Sequence, residues 1–263
     1  MRPNTALRAW RDGRQTIGAW LSIDSSYTAE IIAQVGFDWA CLDTQHGVIG
    51  DGDVMPMLQA ISTTDTIPFV RVPWNDPATI MRVLDWGAYG VVVPLVDTAE
   101  DARRAVAACR YPPAGIRSSG PARGRLYGGA DYQEHANEEI ACVVMIETAQ
   151  ALENLDGILS TPGVDAAYIG PADLAYALGL TPTGDNSHPT HAAAVQRIFD
   201  ACLRHGVAPG IHTSSVEYAS RYLEMGFQMV TLGSEHRWMQ ARAAEELAKV
   251  RPLARASVAA PKA

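Results

Sequence analysis

Short apolar runs alternate with amphipathic segments eight times along this chain, and few architectures accept such a pattern. The runs span 17–23 (IGAWLSI), 38–43 (DWACLD), 67–71 (IPFVR), 89–93 (YGVVV), 142–147 (CVVMIE), 165–169 (DAAYI), 207–211 (VAPGI) and 228–232 (QMVTL). Helical periodicity follows each one, at 27–35, 52–62, 76–86, 98–109, 148–158, 191–205, 215–225 and 235–250, the sixth after a loop. A strand covered on both faces reads as a continuous apolar run, and the helix that covers it reads with a period of 3.6. Eight such units in about 250 residues predict an α/β fold of the (β/α)8 barrel type. An open doubly wound sheet competes, but it more often shows a glycine fingerprint after its first strand. Here that strand runs into Ser22-Ile23-Asp24-Ser25-Ser26.

The alternation fills residues 1–250, which are expected to form one catalytic domain. Residues 251–263 are Ala- and Pro-rich and are expected to be a flexible tail. Two connections break the rhythm. Residues 111–140 hold five glycines and three prolines, too many for one regular element, and 180–190 form the second. Long loops in compact domains are commonly lids or interface segments. Helix starts are legible at Asn75-Asp76-Pro77, at Asp97-Thr98-Ala99-Glu100 with Asp97 as the cap, and at Gly170-Pro171-Ala172-Asp173.

Composition narrows the function. The net charge is −8 with no basic run, which argues against nucleic acid and an anionic membrane as partners. Charged residues are 19%, below the usual share of about 25%, which suggests surface hidden in a homo-oligomer. No apolar run reaches the roughly 18 residues of a membrane span and no cleavable signal is visible, so a cytoplasmic location is expected. Cys41, Cys109, Cys142 and Cys202 follow neither a zinc spacing nor a disulfide framework, and read as small core fillers.

The chain has two lysines, Lys249 and Lys262, both near its end. Schiff-base chemistry needs a buried lysine of lowered pKa, so a metal ion is the better electrophile. Acids and bases stand just past strand ends, where a barrel builds its active face. Glu147 closes the apolar run VVMIE, where an acid is costly unless paired or metal-bound. Asp173 follows strand six, and helix capping is its competing role. Together they make a two-carboxylate site for a hard divalent cation such as Mg²⁺. His46, in Asp43-Thr44-Gln45-His46-Gly47, suits acid–base work. Arg71 can hold a carboxylate or stabilise an enolate oxygen, or it can form a structural ion pair. Asp85 is a candidate orienter for His46. His212 and Trp20 are possible pocket residues. His188 and His191 read as a chance pair in a polar loop.

The segments GFDWACLDTQHG, VRVPWNDP, YPPAGIRSSG, MIETAQALENLDGIL and YIGPADLAYALG resemble the HpcH/HpaI aldolase/citrate lyase family, in particular its class II pyruvate and hydroxyketoacid aldolases. The resemblance runs through residues 5–250. It implies a TIM barrel of the phosphoenolpyruvate/pyruvate type, assembled as a homohexamer with the last helix exchanged between barrels. It implies Glu147 and Asp173 as metal ligands for Mg²⁺, Mn²⁺ or Co²⁺, and His46 as base with Asp85 raising its basicity. Arg71 is then the enolate stabiliser, and the backbone at Ala172 and Asp173 contacts substrate. The pattern departs at Gln45, Met145 and His212, which stand where a glutamate, a glutamine and an apolar residue are usual. With Asp43 and Trp20, Gln45 and His212 are possible pocket residues.

The activity implied is reversible cleavage of a 4-hydroxy-2-oxoacid to pyruvate, or hydroxypyruvate, and an aldehyde through a metal-stabilised enolate. The alternatives are a citramalyl- or malyl-CoA type lyase, which the scarcity of lysine disfavours, and a catalytically silent binding barrel.

Overall fold

In a computed structural model that describes residues 1–255, eight parallel strands close into a barrel in chain order. They are β1 (Thr16–Leu21), β2 (Trp39–Asp43), β3 (Ile67–Arg71), β4 (Gly90–Val93), β5 (Ala141–Ile146), β6 (Ala166–Ile169), β7 (Ala208–Ile211) and β8 (Met229–Ser234). Each falls on one of the eight apolar runs. The strands are buried along almost their whole length because the barrel interior takes one face and the helices take the other. Register brings Asp43 beside Arg71 and Met145 beside Tyr168, so each pair points to the same side.

Helix α1 (Thr5–Arg11) precedes the barrel and has no counterpart in the sequence reading. Its Trp10 donates its indole N–H to Thr16 at 2.8 Å, Trp39 donates to the same hydroxyl at 3.1 Å, and Trp10 meets Phe69 at 5.8 Å between rings. These aromatics close the barrel end opposite the site. Gly18 makes room for Trp39, since any Cβ there would overlap the indole.

The outer layer continues with α2 (Ser26–Ala33), α3 (Asp51–Ile61), α4 (Pro77–Asp85) and α5 (Ala99–Cys109). Asp76 caps α4, accepting from the Thr79 amide at 2.9 Å with Pro77 in the first turn, as its sequence predicts. At α5 the cap is Thr98, which accepts from the Asp101 amide at 3.1 Å. Asp97, expected as the cap, instead accepts from the Thr148 hydroxyl. The 111–140 connection breaks into α6 (Ala122–Gly128) and α7 (Tyr132–Glu139) around Gly128-Gly129.

Then come α8 (Ala149–Glu153), α9 (Leu155–Leu159), α10 (Pro171–Ala177), α11 (Pro189–His205), α12 (Val216–Met225) and α13 (Glu235–Arg255). The expected tail is corrected in part: 251–255 continue α13, and 256–263 lie outside the described residues. Among the described residues no helix is long and apolar enough to cross a membrane. The four cysteines are buried free thiols.

Candidate active site

The C-terminal ends of the strands surround a cavity of about 510 Å³. Its wall on β1–β3 is a fixed ion pair. Asp43 ends β2 and Arg71 ends β3, in register. The Arg71 Nε and Nη2 donate to the two Asp43 oxygens at 2.9 and 2.6 Å. Asp43 also accepts from the Gln45 and His46 amides at 3.1 Å each, and from the Trp20 indole at 3.1 Å. Burial pushes the Asp43 carboxyl up, but Arg71, the His46 amide and Trp20 outweigh it and hold it below the usual carboxylate range. Burial likewise works against the Arg71 charge, and Asp43 more than offsets it. The bidentate fork leaves Arg71 Nη1 uncommitted on a residue that lines the cavity. The ion-pair role and the cavity-facing role of Arg71 thus coexist.

Glu147 stands one residue beyond β5 and is buried. Its Oε1 accepts from the Leu95 amide at 2.9 Å. Leu95 adopts φ 52°, a left-handed conformation costing a side-chain-bearing residue roughly 1–2 kcal/mol. Gly170 lies against the other oxygen, where a Cβ would collide with Oε2. Burial drives the Glu147 carboxyl up to about 7; the Leu95 amide opposes this, the Asp173 charge adds to it, and Arg71 opposes it. Asp173 is exposed to the cavity in the first turn of α10, beside Ala172. Two carboxylates of like charge, one buried against its own preference, form a donor set suited to a hard cation that keeps several waters. Among the described residues no group of three or more His, Cys, Asp or Glu gathers to enclose a metal.

The inner wall is aromatic. Trp20 stacks on Tyr168 at 5.5 Å and meets His212 edge-on at 5.1 Å, while the Arg71 guanidinium lies 5.0 Å from the Trp20 ring. The Tyr168 hydroxyl bonds Thr231 and sits 3.2 Å from His212 Nδ1. Burial, with Arg71 and Arg237, pushes the His212 imidazole down to about 4. It is therefore neutral near pH 7. His46 is exposed at the rim, and its ring forms no hydrogen bond among the described residues.

Trp20, Asp43, His46, Arg71, Ala172, Asp173 and His212 all line the cavity, and Glu147 lies against Gly170 beside it. Gln45 is corrected: it turns away, and its buried Oε1 has no hydrogen-bond partner. Asp85 is corrected too. It ends α4, and a barrel helix runs back toward the N-terminal ends of the strands, so Asp85 lies at the face opposite His46. Its carboxylate accepts from buried Arg117 at 2.9 Å. His191 is not a loop residue; buried on α11, its Nε2 meets the Pro171 carbonyl at 3.0 Å. Tyr168 and Leu95 were missed. The parity of Met145 and Glu147, carried across the register to Tyr168, could have found the first. Nothing in VVPLV marks the second.

The family model of the HpcH/HpaI aldolase/citrate lyase family matches residues 16–241. The chain belongs to this family. It is 42% identical over 248 residues to a 4-hydroxy-2-oxo-heptane-1,7-dioate aldolase of Escherichia coli, covering 93% of this chain and 94% of that protein. A solved HpcH/HpaI family protein from Burkholderia cenocepacia J2315 superposes with a TM-score of 0.88 at 35% identity, covering 94% of this chain and 99% of that one. An HpcH/HpaI aldolase from Desulfitobacterium hafniense DCB-2 gives 0.85 at 27% identity, covering 93% and 95%. HpcH/HpaI membership makes the protein a carbon–carbon lyase of the aldolase type.

Proposed function

We propose that this HpcH/HpaI protein cleaves 4-hydroxy-2-oxoacids reversibly to pyruvate, or hydroxypyruvate, and an aldehyde, with a divalent cation held by Glu147 and Asp173. The observation that carries the reading is that Asp173 and the Asp43-held Arg71 line one cavity, with Glu147 buried beside it against Gly170 and sensing the Asp173 charge. A bound Mg²⁺, Mn²⁺ or Co²⁺ supplies Lewis-acid polarisation of the 2-oxoacid carbonyl. The chain's own residues do the rest. Arg71 Nη1, aimed by the fork to Asp43, donates to the oxygen that gains charge as C3–C4 breaks. His46 takes the proton of the C4 hydroxyl in cleavage and returns it in addition. The first turn of α10 at Ala172 and Asp173 lies against the oxoacid carboxylate. Tyr168, Trp20 and Met145 keep the floor of the site apolar and limit access of water. The identity to an aldolase along nearly the whole chain weighs against a CoA-thioester lyase.

We further propose a homohexamer in the cytoplasm. Met239, Leu247, Val250 and Leu253 stand exposed along α13, more apolar surface than a lone helix should leave to water, and a neighbouring barrel would cover it. The four unpaired thiols fit a reducing compartment. An Asp85–His46 contact would then have to form between copies.

The test is aldol addition of pyruvate to an aldehyde in Mg²⁺, Mn²⁺ or Co²⁺ against a chelated control. Turnover should disappear on chelation and return with metal. Chelator-resistant turnover, with a borohydride-trapped adduct on Lys249 or Lys262, would overturn the reading.

A further inference from the structure

Two histidines stand at the start of α11, and only one is engaged with the interior. His188 caps the helix at the surface, accepting from the Thr190 amide at 3.2 Å. His191, in the first turn, is fully buried and does not line the cavity. Its Nε2 lies 3.0 Å from the Pro171 carbonyl, twenty residues back in the chain. A carbonyl only accepts, so Nε2 carries the proton. The other ring nitrogen, Nδ1, is buried and has no hydrogen-bond partner among the described residues. A buried acceptor left unpaired is a penalty that leucine or methionine at this place would not bring. What the histidine adds over them is one N–H at Pro171.

Pro171 opens α10, the helix that carries Asp173 two residues on. That helix has little to fix its start. Its N-cap is Gly170, with no side-chain cap, and Pro171 has no amide hydrogen to give. Glycine is required there, because a Cβ would collide with Oε2 of Glu147. The joint between the two acids is thus a residue that leaves the backbone more freedom than any other would. The chain between Pro171 and His191 is fastened farther along, where Asp185 accepts the Ser214 amide at 2.9 Å. His191 fastens its base.

We propose that His191 is a positioning residue for the metal centre: its N–H, held on the Pro171 carbonyl, sets the approach of Asp173 to Glu147 and with it the affinity of the pair for a divalent cation. The inference rests on the metal reading above and adds to it a residue outside the cavity. A shift in the first turn of α10 would move one carboxylate and not the other. Groups that hold metal ligands from behind typically contribute about 10- to 100-fold in affinity.

The experiment measures the Mn²⁺ affinity of the whole protein, first stripped with chelator and dialysed, from the electron paramagnetic resonance signal of free Mn²⁺. The urea midpoint of the same metal-free samples is measured beside it. His191→Gln and His191→Asn make a matched pair. Both carry an amide, but glutamine can place its N–H where Nε2 stands, whereas that of asparagine ends near Nδ1. His191→Gln should keep near-wild-type affinity, and His191→Asn should weaken it about 10-fold or more. His191→Leu removes both the donor and the unpaired Nδ1. It should bind Mn²⁺ as weakly as His191→Asn, with a urea midpoint no lower than that of wild type. Wild-type affinity in His191→Asn and His191→Leu overturns the inference. So does a loss that is equal in the glutamine and asparagine variants, or one that follows the urea midpoint across all three, since packing alone would give either. Glu147→Gln separates the two levels. Binding that is lost in Glu147→Gln but unmoved by the His191 variants rejects the role of His191 alone. A wild type that binds no Mn²⁺, or binds it no better than Glu147→Gln, rejects the metal reading and the inference with it.

Discussion

Replacing Glu147 by Gln should make the metal-free protein more stable while abolishing the proposed metal site. Glu147 has an ordinary carboxyl pKa of 4.5 and is pushed to about 7 in the fold, first by burial and then by Asp173. The native state therefore holds a proton between about pH 4.5 and 7 that the unfolded chain releases. Stability must fall as pH rises through that window, and the full cost is present above pH 7. The difference is 2.5 pH units, or about 3 kcal/mol at 1.36 kcal/mol per unit. Glutamine keeps an oxygen for the Leu95 amide and carries no charge, so it avoids the cost. In chelator at pH 8, urea unfolding should show Glu147→Gln more stable than wild type by about 3 kcal/mol, with the gap closing near pH 4. Added Mg²⁺ should stabilise the wild type by mass action and leave the variant unmoved. A variant no more stable than wild type at pH 8 in chelator, or one stabilised equally by Mg²⁺, would refute the reasoning.

The neutral His212 has the opposite slope. The unfolded chain binds its proton below about 6.5 and the fold only below about 4, so stability falls by up to about 3 kcal/mol as pH drops through that range. The two slopes nearly cancel in wild type; urea titration of Glu147→Gln across pH 4–7 should expose the His212 slope, and His212→Gln in that background should flatten it. His46→Ala should slow aldol cleavage by roughly 100- to 10,000-fold while retaining Mg²⁺ binding by calorimetry. Asp85→Asn should cost about 2 kcal/mol by urea unfolding, because buried Arg117 already has Nε and Nη1 unpartnered and loses a charged acceptor. A lowered acidic limb in its pH–rate profile would show that Asp85 reaches His46 of another copy.

The eight strands were legible because burial on both faces leaves few polar positions within them, as VVV in β4 and CVVMI in β5 show. The charged groups at the cavity stand out for the converse reason: Asp43, Arg71 and Glu147 each interrupt an apolar run at its end. What escaped was set by long-range packing. Trp10 in α1 earns its place only against Thr16 and Phe69, which no local pattern reveals. Asp85 is a candidate orienter of His46 in the sequence, yet helix direction sends it to the other end of the barrel, where Arg117 claims it. The inward parity of Trp20 is fixed by its indole bond to Asp43 on the neighbouring strand, a contact that the local pattern IGAWLSI does not encode. Leu95 in its left-handed turn donates its amide to Glu147, and His191 meets the Pro171 carbonyl at the start of α10, contacts through backbone groups that side-chain chemistry does not announce.

The central claim is that a divalent cation and an Asp43-oriented Arg71 together stabilise negative charge on a bound 2-oxoacid. Exchange of the pyruvate C3 protons in D₂O, followed by proton NMR without any aldehyde, reads that stabilisation alone. The account predicts exchange by the Mg²⁺- or Mn²⁺-loaded wild type, loss of exchange on chelation, and a rate about 100- to 1000-fold lower in Arg71→Ala. Exchange at the wild-type rate in Arg71→Ala, or undiminished exchange in the presence of chelator, would contradict it.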